Sequence, residues 1–272
     1  MAEINPFSIV SATIVDLLTN HADLFVSMGT NMFRAFAIIL IAWFGIRAAL
    51  AAADGQGLPL GRFASLVLTI AIGFTMMTYY ARPIPGIGRS FTHLITDQAS
   101  VLAAQMETSQ VQALSDRLNE LFLSLEQPTF FNVVALIWYF LVALLVVAAR
   151  VVLLAVIAFG WTATAIAVLV GPLFIPFFIV PQMDWLFWGW LKSFMQYAFY
   201  QVIAQAFVFV FGSFLTRSLD LFPPPYTVDK LLVGGFQFVF LFLAFIYGML
   251  KVPSLTNSLF TGRSGEAAHP GA

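Results

Sequence analysis

The stretch from Phe130 to Val180 constrains this chain more than any other. It reads FFNVVALIWYFLVALLVVAARVVLLAVIAFGWTATAIAVLVGPLFIPFFIV and carries a single charged side chain, Arg150. A bilayer hydrocarbon core is about 30 Å thick and a helix rises about 1.5 Å per residue, so about 20 apolar residues cross it. This run is long enough to cross twice. Alternation of polar and apolar residues is missing from it, which points to helices and away from a barrel. The expected fold class is all-α: a polytopic helical membrane protein with five to six transmembrane helices and an amphipathic extracytoplasmic helical loop.

Composition agrees with a membrane solvent. The 272 residues are 61% hydrophobic and 9% charged, against about 25% charged in an ordinary soluble domain. The net charge of −1 carries no basic excess for a nucleic-acid surface. With no cysteine, disulfides and thiolate metal sites are excluded. The opening MAEINPF lacks the pattern of a cleaved signal peptide, so insertion is expected to rely on internal spans. His21, His93 and His269 lie far apart, and no metalloprotease, nucleophile-elbow or phosphate-loop motif is present. No carboxylate falls inside an expected span, so a proton relay lacks its groups. No catalytic, metal or cofactor site is expected, and the chain reads as a non-enzyme.

Five regions follow from the pattern. Residues 1–31 are too polar to span and read as an amphipathic segment, because a mid-bilayer Asp costs about 2.5–3.5 kcal/mol. Residues 32–81 form a two-span hairpin around the Gly-rich turn Asp54–Arg62. Residues 82–129 open on RPIPGIGR and make the largest polar segment. Residues 130–250 make a core bundle, with a helix break expected near Ala158–Thr162 and a last span over Leu231–Leu250. Residues 251–272 read as a frayed tail. The positive-inside rule sets Arg62, Arg150, Arg217 and Lys230 in the cytoplasm, with the N terminus and residues 82–129 outside. Six spans would leave the tail outside and five would leave it inside.

Several residue sets stand out. Val111, Leu114, Leu118, Leu121 and Leu125 repeat at spacings of three and four, a two-heptad apolar seam. It fits a helix lying on the membrane or on its own protein, or an oligomer seam. Ser109 and Gln112 suit a capping box at its start. Ala163, Ala167 and Gly171 stack on one helix face and allow close backbone approach in lipid. Pro172 and Pro176 should kink that helix, since proline removes a backbone donor and clashes one turn back. Trp185, Trp188 and Trp190 beside Asp184 and Lys192 suit an interfacial anchor. Tyr197, Gln201 and Gln205 share a face that would line a hydrated path or bond between helices. Arg150 is the one intramembrane charge, explained by snorkelling near a span end or by a specific anionic contact.

The block Val170–Pro181, VGPLFIPFFIVP, followed by Asp184–Ile203, DWLFWGWLKSFMQYAFYQVI, resembles the core of the TrbL/VirB-six family. These are polytopic inner-membrane proteins of type IV secretion and conjugation machines. The resemblance rests on Gly171, Pro172, Leu173 and Phe174, then on Trp185, Phe187, Trp188 and Trp190. It implies a bacterial inner-membrane subunit, with a periplasmic N terminus, that helps assemble a channel or pilus base and assists passage of DNA or protein. It implies as partners other inner-membrane subunits, bitopic periplasmic scaffold proteins, secretion ATPases and a minor pilin. A homo-oligomeric ring would suit the small-residue face and the 111–125 seam. A small-solute transporter or channel is the alternative, motivated by the broken helix and the polar face, but the two halves show no internal repeat.

Overall fold

A computed structural model describes residues 6–55, 57, 60–94, 96, 113–114, 116–124, 133–220 and 228–261; its side chains are described from Asp23 onward, except at 219, 228–235 and 261. Helices dominate, and no strand occurs among the described residues. In order they are α1 (Pro6–Ala53), α2 (Leu60–Thr78), α3 (Val133–Phe174), α4 (Asp184–Asp220) and α5 (Val228–Thr261). A 3₁₀ turn, Ile175–Ile179, follows α3, and a short helical stretch covers 116–123. Among the described residues five segments are long and apolar enough to cross a membrane: Asp23–Ala53, Leu60–Thr78, Val133–Ile179, Asp184–Ser218 and Phe236–Phe260.

Lipid dictates this arrangement. With no water to satisfy backbone groups, a spanning segment must close its hydrogen bonds within itself. The hydroxyls inside the spans obey the same demand. Thr30, Thr69, Thr75, Ser193, Ser213 and Thr216 each donate to the carbonyl four residues earlier, so these hydroxyl protons are paired within their own helices.

Three expected boundaries are corrected. α1 runs through residues 31 and 32 without interruption, because no proline follows Pro6 in it and a helix tolerates Gly29 and Asn31 at small cost. α3 runs through Ala158–Thr162, where a break was expected, and the 130–180 run is one long helix ending in a 3₁₀ turn. A mid-helix glycine costs only about 1 kcal/mol, and Gly160 serves packing: a Cβ there would lie 2.7 Å from Tyr200 Cδ1. α5 continues past Lys251 and through Pro253 to Thr261. Pro172 lies inside α3, which gives way to 3₁₀ geometry at Ile175, and Pro176 lies within that 3₁₀ turn.

The chain divides into two compact units, residues 1–98 with 162–197 and residues 99–161 with 198–272. The first is centred on Phe33, Met77, Tyr80, Ala167, Ile175, Ile179, Phe187, Trp190 and Phe194, with the 3₁₀ turn packed on both α1 and α2. The second buries Leu114, Leu118 and Leu121 with Val142, Val146, Ala149 and Leu153, and carries Phe242, Phe245 and Met249 from α5. Outward side chains such as Ile38, Leu68, Leu144, Val210 and Phe240 are large, apolar and exposed, as a lipid-facing surface requires.

Candidate functional site

In the first unit, the Gly171–Pro172 step is the centre of a clamp. Pro172 has no N–H, so the Val168 carbonyl one turn earlier loses its helical donor. The Tyr80 hydroxyl donates to that same carbonyl. Beside it, Trp190 Nε1–H donates to the Ala167 carbonyl at 2.9 Å. Two side chains from outside α3 thus cap its weakened last turn. The Trp190 ring lies nearly parallel to Phe174 and to Phe194, at centroid distances of 6.5 and 5.7 Å.

Local sequence positions Tyr80. The segment 82–89 closes on itself through Ile84 N–H to Arg89 O and Gly88 N–H to Ile84 O, both 2.9 Å. Gly86 and Gly88 supply the positive φ values, 85° and 74°, that this tight turn needs. Thr92 is buried and donates its hydroxyl to the Tyr80 carbonyl, while Ser90 accepts from the His93 amide as an N-cap. The polar segment therefore returns to the end of α2 and holds the tyrosine.

Glycine makes the clamp possible. A Cβ on Gly171 would strike the Tyr80 hydroxyl and come within 2.5 Å of Trp190 Cζ2. A Cβ on Gly29 would collide with the Pro172 carbonyl, and one on Gly73 would lie 2.7 Å from Phe33 Cε2 and 3.1 Å from Ile179 Cγ2. The expected small-residue face of Ala163, Ala167 and Gly171 is buried, and Gly171 receives side chains of its own unit. Pro172 and Pro176 are buried with it.

The tryptophans separate. Trp185 and Trp188 are exposed and remain suited to a headgroup level, but Trp190 is 6% exposed. Its assignment as an interfacial anchor is corrected: the indole N–H serves the Ala167 carbonyl, so the ring turns inward.

The second unit holds the remaining candidates. Leu114, Leu118 and Leu121 are covered by their own unit, and Leu114 lies against Gly212. Of the alternatives for the seam, packing on its own protein is the one this burial supports; Val111, Leu125, Ser109 and Gln112 lie outside the described residues. Arg150 is half-buried and donates to Asn119 Oδ1 at 2.9 Å, so a polar contact within the chain replaces simple snorkelling. Arg117 pairs with Glu120 at 2.8 Å and with Asp220 at 2.7 Å. These contacts correct the sidedness argument, because Arg150 and Asp220 touch the very segment expected on the opposite face of the membrane. Tyr197 is half-buried in the first unit, whereas Gln201 and Gln205 are 7% and 1% exposed inside the second, so the two glutamines line no open path there.

Tyr80, Gly29 and Gly73 escaped sequence reasoning. Each sits far along the chain from Pro172, and nothing local marks it except small size or a single hydroxyl. Among the described residues no three His, Asp or Glu side chains gather to hold a metal. The buried polar side chains there are Ser90, Thr92, Gln201, Gln205 and Thr256.

A family model described as TrbL/VirB6 plasmid conjugal transfer protein matches residues 37–252. That span takes in the last third of α1, all of α2, the clamp and most of α5. No curated protein matches the chain.

Proposed function

The chain belongs to the TrbL/VirB6 plasmid conjugal transfer family, and from that membership we propose that it is a non-catalytic, channel-assembling subunit of a type IV secretion or conjugation machine. The carrying observation is the extent of the family match, which takes in most of both compact units. In this reading the clamp is architectural. It fixes the sharp exit from α3 so that the exposed elbow, with Trp185 and Trp188, is presented at a constant angle to lipid or to a neighbouring subunit. The machine's other inner-membrane subunits, periplasmic scaffold proteins, secretion ATPases and minor pilin are its partners. The N terminus is periplasmic, and the protein sits in the inner membrane as a homo-oligomeric ring through which DNA or protein passes.

The test is genetic and biochemical. Deleting the coding gene from a transfer-proficient cell is expected to reduce transfer to background, with restoration by the wild-type chain and not by Gly171→Leu. Transfer that persists without the chain overturns the proposal. Mass measurement in detergent is expected to give a multiple of 30.0 kDa; a strictly monomeric mass removes the ring.

A further inference from the structure

In the second unit, Gln205 is 1% exposed, and neither its Nε2 nor its Oε1 has a hydrogen-bond partner. It lies within the candidate span Asp184–Ser218, where a bare amide is poorly tolerated. The neighbouring helices reveal what lies at its level. α4 and α5 run antiparallel: Phe207 is packed against Gly248 and Phe245, and Phe199 against Phe260. The level of Gln205 on α5 therefore falls between Gly248 and Phe260.

That interval is unusual. It contains Pro253, whose missing N–H deprives the Met249 carbonyl of its helical donor. Met249 is completely buried, so bulk water does not supply one. The same interval holds Thr256, also completely buried, whose hydroxyl donates to Val252 O and keeps a lone pair free. Gln201, buried one turn before Gln205, shares its face of α4. On α3, Gly160 lets Tyr200 and Gln201 approach its backbone closely, a Cβ there falling 2.7 Å from Tyr200 Cδ1 and 3.1 Å from Gln201 Cγ. The bare Gln205 amide thus shares its level of the bundle with a carbonyl deprived of its helical donor and with a buried hydroxyl.

We propose that this level of the bundle is an internal water site, in which bound water bridges the Gln205 amide to the Met249 carbonyl and to Gln201. The Gln205 amide, with neither atom partnered, and a carbonyl that proline deprives of its helical donor offer the two to four polar partners that a trapped water needs. The contrast with the first unit is informative: there a tyrosine hydroxyl caps the carbonyl that proline frees, and here a buried amide stands without a partner at the level of the proline.

Water-edited solid-state NMR tests this on the full chain in lipid bilayers. The Gln205 side-chain amide is identified by its absence in Gln205→Met. Its signal is expected to build up from water several-fold faster than the backbone amide of the adjacent, fully buried Ala204. Equal, slow build-up at both positions overturns the site. Pro253→Ala returns an N–H to the Met249 carbonyl and is expected to slow transfer to Gln205. An unchanged rate in that variant removes Met249 from the proposal.

Discussion

The two units meet the same problem differently. Each contains a helix with an internal proline, Pro172 in α3 and Pro253 in α5. In the first unit the freed carbonyl at Val168 receives the Tyr80 hydroxyl, and Trp190 secures the carbonyl beside it. In the second, the buried amide of Gln205 stands without a partner at the level of Pro253. A proline in a membrane helix creates a demand for a donor. Meeting it with rigid aromatic side chains locks the local geometry, and leaving it to something smaller keeps the helix adjustable. The first unit therefore reads as a fixed bracket and the second as a bundle with a softer level.

That contrast can be broken experimentally. The largest effect is expected from Leu118→Asp, which places a carboxylate at a completely buried position of the second unit. An uncompensated buried charge costs about 3–5 kcal/mol, so the 116–123 stretch should become protease-sensitive while membrane insertion persists. Unchanged proteolysis and transfer would show that this stretch contributes little to the second unit.

Gly171→Leu should come next and act on the first unit. Overpacking costs about 1–3 kcal/mol or more, and here the obstacles are the Tyr80 hydroxyl and the Trp190 ring. The expected result is loss of monodisperse protein on size exclusion. A well-behaved Gly171→Leu protein would mean that the clamp yields easily and that the first unit is no more rigid than the second.

Tyr80→Phe sharpens the comparison because it keeps the ring and removes only the donor. The Val168 carbonyl is left without the hydroxyl that caps it, at a cost of about 1–3 kcal/mol, and the melting temperature in detergent should fall accordingly. Arg117→Ala is expected to be the mildest. Its ion pairs are more than a third exposed on every side chain, and pairs of that kind contribute about 0–1 kcal/mol. A drop larger than that of Tyr80→Phe would identify the Arg117–Asp220 contact as a main tie of the second unit.

Much of the fold was legible before any coordinates. The Phe130–Val180 run demanded lipid, and the Gly171–Pro172 step pointed to a kink; α3 continues through it and gives way to 3₁₀ geometry at Ile175. The small-residue face lies buried in the structure. The glycine at 160, by contrast, suggested an end to α3, because a sequence does not say whether a glycine relaxes a backbone or admits a neighbour's ring. Trp190 looked like its exposed neighbours Trp185 and Trp188, since the half-turn of helix between 188 and 190 separates outward from inward and local composition does not. The separation of Arg150 from the 82–129 segment failed for a related reason: charge counting treats loops as isolated, whereas Asn119 and Asp220 hold these charges to particular partners.

Sequence by itself determined the solvent and the helical class, because apolar length and backbone hydrogen bonding leave no alternative inside a bilayer. It also determined which residues could not continue a regular helix, because proline lacks a donor whatever surrounds it. Tertiary structure alone decided how those gaps are filled. The donor for Val168 comes from Tyr80, 88 positions away, and only folding brings a hydroxyl that distant within bonding reach.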